Sequence, residues 1–219
     1  MSRDFRRVWA ALAITLAVCS RPRETGRALS PDGERGETRP AAGSSTSELS
    51  IAFAGDTMLA RGVDELIRER GPRYIWGNAL SLIRAPHLTL VNLECVIATS
   101  GTPFVPPRVF YFRAAPPAID ALLAAGIDYV SIANNHAMDY EAPALLETLE
   151  RLDRAGIAHA GAGRNLEQAE RPALLRAGSQ VVGVVSFADH FSFYGASATK
   201  PGTNFISITT EGADFDRVR

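Results

Sequence analysis

Tyr129, Val130, Ser131, Ile132 and Ala133 run straight into Asn134, Asn135 and His136. A short apolar, β-branched run of this kind reads as a buried strand. It ends in three polar side chains with no compensating charge beside them. The same layout occurs twice upstream. Ile51, Ala52, Phe53 and Ala54 lead to Gly55 and Asp56, and the run from Leu88 carries Asn92 and delivers Glu94.

Helical patterns separate these runs. Residues 63–70 place apolar side chains at helical spacing among charges, and a second helical stretch covers 76–83. Residues 99–109 form a loop rich in proline and glycine. Residues 116–125 read as a helix with proline near its start, closed by Gly126. The strongest helix covers 143–155, with Leu145, Leu146, Leu149 and Leu152 on one side and Gly156 at its end. Residues 157–160 and 181–187 read as further strands. Strands alternating with helices predict an α/β fold with a mostly parallel sheet. Ligands of such sheets bind beyond the carboxyl ends of the strands. Asp56, Glu94, Asn135 and His136 are therefore expected to share one crevice.

Taken singly, each has a structural alternative. Asp56 after glycine suits a helix cap. Glu94 suits an ion pair with one of the arginines, Asn134 and Asn135 suit a turn, and a lone histidine suits a core. The repetition at three strand ends is what argues for a site. Two carboxylates brought together resist ionisation unless a positive charge lies between them. Carboxylate, amide oxygen and imidazole suit a divalent metal ion such as Mn, Fe, Zn or Mg, which activates water and polarises a phosphoryl oxygen.

Composition excludes other classes. The 219 residues are 46% hydrophobic and 21% charged, which rules out a wholly disordered chain, a collagen and a multi-span membrane protein. With 23 basic and 24 acidic residues the formal net charge is −1, so no nucleic-acid partner is expected. Cys19 and Cys95 cannot make a disulfide framework, and Cys95 reads as a small buried hydrophobe.

The front of the chain reads as an address rather than a domain. Arg3, Arg6 and Arg7 precede an uncharged, mostly apolar run from Val8 to Val18. That is the layout of a secretory signal, and the run is too short to span a bilayer as a helix. Leu16, three before Cys19, resembles a lipoprotein signal, although Val18 departs from the usual small residue there. Residues 1–19 are expected to be a signal peptide or lipoprotein signal, with Cys19 the lipidation candidate. Residues 20–48, rich in Pro, Gly, Ser, Thr and Arg, read as a disordered linker. The folded domain is expected over 49–219, in an exported protein that is periplasmic, extracellular or anchored at the cell envelope.

Gly55, Asp56, Thr57, Met58 and Leu59, then Asn92 and Glu94, then Ala133 to His136 with Asp139 and Tyr140, resemble the bacterial capsule-synthesis CapA family. That family is associated with poly-gamma-glutamate capsules and is similar in turn to calcineurin-like metallophosphoesterases. The resemblance implies a four-layer α/β/β/α sandwich, of which this chain carries only the N-terminal portion. The family's downstream histidine motifs are not found, so the chain is expected to be C-terminally truncated.

The resemblance also implies roles. Asp56 stands as the first metal ligand, Glu94 as a bridging carboxylate and Asn135 as an oxygen ligand. His136 stands as the general acid. Asn92, Asn134 and Asp139 stand behind them as orienting residues. Met58 occupies the place of a second, histidine ligand, which weakens the case for full two-metal chemistry. His190, at a strand end, is a candidate for the rim, whereas His87 reads as surface and His159 as structural. Arg108 and Arg113, near the proline loop, are candidates to meet an anionic substrate, with ordinary exposed loop arginines as the alternative, and Tyr111, Phe112 and residues 191–194 read as core or loop packing.

The implied function is capsule or surface-polymer assembly, with an anionic surface polymer or phosphate-containing substrate and a membrane synthase as partners. The alternatives are a non-catalytic polymer-binding or membrane assembly factor, and an inactive gene fragment.

Overall fold

A computed structural model describes residues 48–207 and the backbone of Ala13–Cys19. In chain order the elements are β1 (Ala13–Cys19), β2 (Ile51–Thr57), α1 (Gly62–Arg70), α2 (Leu80–Arg84), β3 (Leu88–Leu93), β4 (Val96–Ile97), β5 (Arg113–Ala114) and α3 (Ala118–Ala125). There follow β6 (Tyr129–Ser131), α4 (Glu141–Ala155), β7 (Ala158–Ala160), β8 (Ala162–Gly163), α5 (Leu166–Glu170), β9 (Ala173–Ala177), β10 (Gln180–Phe187) and β11 (Gly202–Thr203).

The expected α/β fold with a parallel sheet is present. Its four strands lie in the order β2-β3-β6-β7, all parallel. Period-2 alternation divides the side chains of β3 and β6 between the two faces. Val91, Leu93 and Val130 join Leu122, Leu145, Leu149 and Leu152 in the core beneath α3 and α4. Leu88, Leu90 and Tyr129 face the other way and pack on Leu175, Val182 and Val184 of a second sheet. The Tyr129 hydroxyl, buried between the sheets, lies 2.6 Å from Ser186 Oγ. Helices, parallel sheet and second sheet make three successive layers of the expected sandwich. On the outward side of β9, Leu174 is 71% exposed.

The second sheet departs from the sequence reading. Residues 181–187 do not extend the parallel sheet; β10 lies in an antiparallel sheet of order β1-β10-β9. Ala173, Leu174 and Leu175 carry helix-favouring side chains, so β9 went unread. A two-residue turn fixes it instead: Ala177 pairs with Gln180 across Gly178, whose φ is 60°, the left-handed conformation such hairpins need.

The apolar run expected to be an export signal supplies β1. Its backbone pairs antiparallel with β10, Ala13 opposite Phe187 and Cys19 opposite Val181. Residues 1–12 and the linker over 20–47 lie outside the described residues, as do the Cys19 side chain and residues 208–219. Among the described residues no helix is long and apolar enough to cross a membrane.

Helix boundaries follow local chemistry. The stretch read as one helix over 76–83 is a 3-10 turn, Tyr74–Ala79, broken at Gly77 (φ 48°) before α2. Gly126 and Gly156 close α3 and α4 in the left-handed conformation, as expected. Gly161 (φ 92°) marks a close approach above the sheets. A Cβ there would lie 2.5 Å from the Ala133 Cβ and 2.9 Å from the Ser186 Cβ.

Candidate functional site

The parallel sheet delivers the three polar clusters to one end. In register, Asn92 of β3 sits beside Asp56 of β2 on one side and Ser131 of β6 on the other. Asn92 Nδ2 donates to Asp56 Oδ1 at 2.7 Å. Asn134 Nδ2 donates to Asn92 Oδ1 at 3.0 Å and to the Leu93 carbonyl at 2.9 Å. Asn134 Oδ1 in turn accepts the His136 amide at 2.9 Å. One chain of hydrogen bonds thus joins the ends of three strands. Buried amides make it because each offers a donor and an acceptor at once.

Asp139 finishes the arrangement. It is completely buried, and its Oδ2 meets His136 Nδ1 at 2.7 Å and the Phe112 amide at 2.7 Å. The Phe112 ring lies against the imidazole, with 4.2 Å between centroids. The other ring nitrogen, Nε2, is 3.8 Å from Glu94 Oε1, an electrostatic approach rather than a hydrogen bond. Burial raises the Glu94 pKa above the ordinary value, and the negative charge of Asp56 adds to this, while His136 acts the other way. A cation between Asp56 and Glu94 would relieve that repulsion.

Asp56 is exposed and Asn135 half-buried, so both are open to solvent at this end of the sheet. The Asn135 side chain makes no hydrogen bond among the described residues; its main-chain carbonyl is held by Arg108. Asp56, Asn92, Glu94, Asn134, Asn135, His136 and Asp139 are therefore brought to one place. His190 is not joined to them directly. Its Nδ1 lies 2.8 Å from Asp189 Oδ1 and its ring edges Phe191. Met58 packs against the helical core, with the Ala60 amide 3.2 Å from its sulfur, and offers nothing to the crevice. Among the described residues no group of three or more His, Cys, Asp and Glu side chains is placed to hold a metal ion.

The remaining histidines and Cys95 follow their sequence reading. His87 is exposed and bonded to Ser50, and His159 of β7 pairs with Asp153. Cys95 is buried in the core, and burial pushes its thiol up to about 12.

The loop over residues 99–112 carries Arg108, one of the two arginines the sequence offers toward an anionic substrate. Arg108 is a tucked-in cation rather than an ordinary loop arginine, its side chain only 15% exposed. It donates to the Asn135 carbonyl at 3.1 Å and to the Tyr194 hydroxyl, and lies over the Phe191 ring. Phe112 and Tyr194 pack as expected, but against His136 and Arg108. No spacing in the sequence announces this, because tertiary bonds set the path of the loop. Glu147 of α4 takes the Ser100 amide and hydroxyl at 2.9 and 2.6 Å, and the Phe104 amide donates to the Asp139 carbonyl at 2.9 Å.

The comparisons with known proteins agree with this layout. A family model described as "Bacterial capsule synthesis protein PGA_cap" matches residues 50–216. The chain belongs to that family. The capsule synthesis family match spans every element from β2 to β11 and all the crevice residues. The relatives include a "Probable polyglutamine synthesis accessory protein" of Mycobacterium tuberculosis, 29% identical over 174 residues, covering 63% of this chain and 46% of that protein. "Capsule biosynthesis protein CapA" of Bacillus anthracis is 23% identical over 166 residues, covering 75% of this chain and 40% of that one. "PGA biosynthesis protein CapA" of Bacillus subtilis is 24% identical over 123 residues, 56% of this chain and 32% of that one. The chain spans less than half the length of each of these relatives.

Proposed function

We propose that this chain acts as an exported accessory protein in capsule or surface-polymer synthesis of the poly-glutamate type, through a metal-dependent, phosphoesterase-like crevice. The observation that carries the site is the hydrogen-bonded chain from Asp56 through Asn92 and Asn134 to His136, with Glu94 facing the imidazole. Membership of the capsule synthesis family and the names of its relatives support the polymer. Export is supported by the basic head and apolar run at residues 3–18.

The donor set fits a hard cation. Asp56 has one oxygen outside its bond to Asn92, the charge of half-buried Glu94 is disfavoured by desolvation and by Asp56, and the Asn135 amide is uncommitted. Those three residues would hold an ion of the Mn, Fe, Zn or Mg kind. Bound there, it supplies Lewis acidity toward a phosphoryl oxygen.

The chain's own part centres on His136. Asp139 accepts the hydrogen bond from Nδ1–H and fixes the ring, and Phe112 covers one face. Nε2 is left pointing toward Glu94, where the protonated ring gives its proton to a leaving oxygen. Phosphomonoesterase and phosphodiesterase assays of the intact protein test this. His136→Ala should lower turnover by about 10²–10⁴-fold while leaving metal content intact. Turnover equal to that of the parent would refute the role.

A second reading, a non-catalytic polymer-binding or membrane assembly factor, is favoured by Met58, which packs against the core rather than supplying a ligand, and by the small acidic ligand set. Polymer binding that survives both chelation and His136→Ala would select it.

A further inference from the structure

Arg108 is the best-held cation at the crevice, and its bonds leave part of it unused. Its side chain is 15% exposed. Nη1 is committed to the Asn135 carbonyl and the Tyr194 hydroxyl. The guanidinium carbon lies 3.9 Å from the centre of the Phe191 ring and 5.1 Å from that of Tyr194. Nε and Nη2 make no hydrogen bond among the described residues. A guanidinium carries five N–H donors in a rigid fork, so Nε and Nη2 stay open to an incoming acceptor.

Asp139 does not consume them. Its Oδ2 is taken by His136 and Phe112, and its Oδ1 stays 4.0 Å from Arg108 Nη1 without a hydrogen bond. Arg113 behaves differently and serves as a contrast. Its guanidinium covers the Tyr140 ring and donates to the carbonyls of Ser100 and Gly101, so it braces the loop. Arg108 instead is backed by an aromatic face and anchored at one nitrogen. Its free edge stands next to the loop that presents Asn135 and His136. This is the arrangement in which arginine takes two oxygens of a carboxylate or phosphate.

We propose that Arg108 is the anion receptor of this crevice, gripping an oxyanion group of the substrate, carboxylate or phosphate, beside His136. The proposal rests on the reading of the crevice as the substrate site, but needs no metal. Tyr194 and Phe191 hold the guanidinium in place, and Asp139 balances its charge when no substrate is bound.

The test is calorimetric titration of the full chain in the presence of chelator. The probes are inorganic phosphate and a γ-linked glutamate pentamer, and the variants are Arg108→Met, Arg108→Lys and, as control, Arg154→Gln on the exposed face of α4. The parent should bind at least one probe. Arg108→Met should weaken that binding at least about tenfold, Arg108→Lys several-fold because it keeps charge but loses the fork, and Arg154→Gln not at all. Which probe the parent binds separates a phosphate from a polymer carboxylate. Arg108→Lys keeps a cation opposite Asp139, so it decides the matter if Arg108→Met fails to fold. Parent-like binding by the folded Arg108 variants, or no binding of either probe by the parent, would overturn the proposal. Neither result depends on metal content, so failure here is distinct from failure of the metal site.

Discussion

His136 Nδ1 and Asp139 Oδ2 lie 2.7 Å apart, three residues from one another in the same loop. The pairing fixes which ring nitrogen faces the crevice, because an ionised carboxylate can only accept. Asp139→Asn keeps the shape but offers an amide that suits the opposite tautomer as well. Phosphoesterase turnover of Asp139→Asn should fall by about 10²–10⁴-fold, with the melting temperature changed far less than the rate. Equal rates for parent and variant would mean that Asp139 serves only to hold the Phe112 amide.

Glu147 ties the loop that carries Arg108 and Phe112 to α4. It accepts from Thr99, Ser100 and Arg151. Burial works against its charge, but the hydrogen bonds from Ser100, Arg151 and Thr99 outweigh it and hold the carboxyl well below the ordinary range. A depressed carboxylate stabilises the fold above its unfolded pKa and stops doing so as pH falls through the folded value. Stability should therefore decline as the solution is acidified below the ordinary glutamate value of 4.5. Glu147→Gln should cost about 1.5–3 kcal/mol at neutral pH and flatten that decline. Urea unfolding across an acid pH series measures both.

Gly161 guards the close approach behind Asn134. Its left-handed φ and the Ala133 and Ser186 contacts that a Cβ would meet make Gly161→Ala destabilising by about 1–3 kcal/mol. Since Ala133 leads directly into Asn134, crevice function should drop with it. A variant as stable as the parent in chemical denaturation would show that the layers yield easily there.

Much of this could be read from the residues. The apolar runs ending at Asp56, Glu94 and His136 announced parallel strands and a shared crevice, because burial and strand-end polarity are local signals. The family resemblance implies orienting roles for Asn92, Asn134 and Asp139, and in the structure each is hydrogen-bonded at the strand ends. Strand β9 was hidden because Ala173, Leu174 and Leu175 have no β preference of their own, and a hairpin with β10 decides their state. Arg108 is legible in the sequence as a loop arginine able to meet an anion, but its anchoring is not: Phe191 and Tyr194, which hold it, are more than eighty residues further along, and no periodicity links them. His190, read as a rim candidate, pairs with its neighbour Asp189 and reaches the site only through Phe191.

The proposed metal site of Asp56, Glu94 and Asn135 can be tested on the protein itself. The most direct measurement is the affinity and stoichiometry of Mn²⁺ binding to the intact protein, parent against Asp56→Ala, Asn135→Ala and His136→Ala. The parent should bind one ion stoichiometrically, the first two variants at least about tenfold more weakly, and His136→Ala should retain binding. Metal occupancy that stays unchanged in both Asp56→Ala and Asn135→Ala would contradict the proposed site.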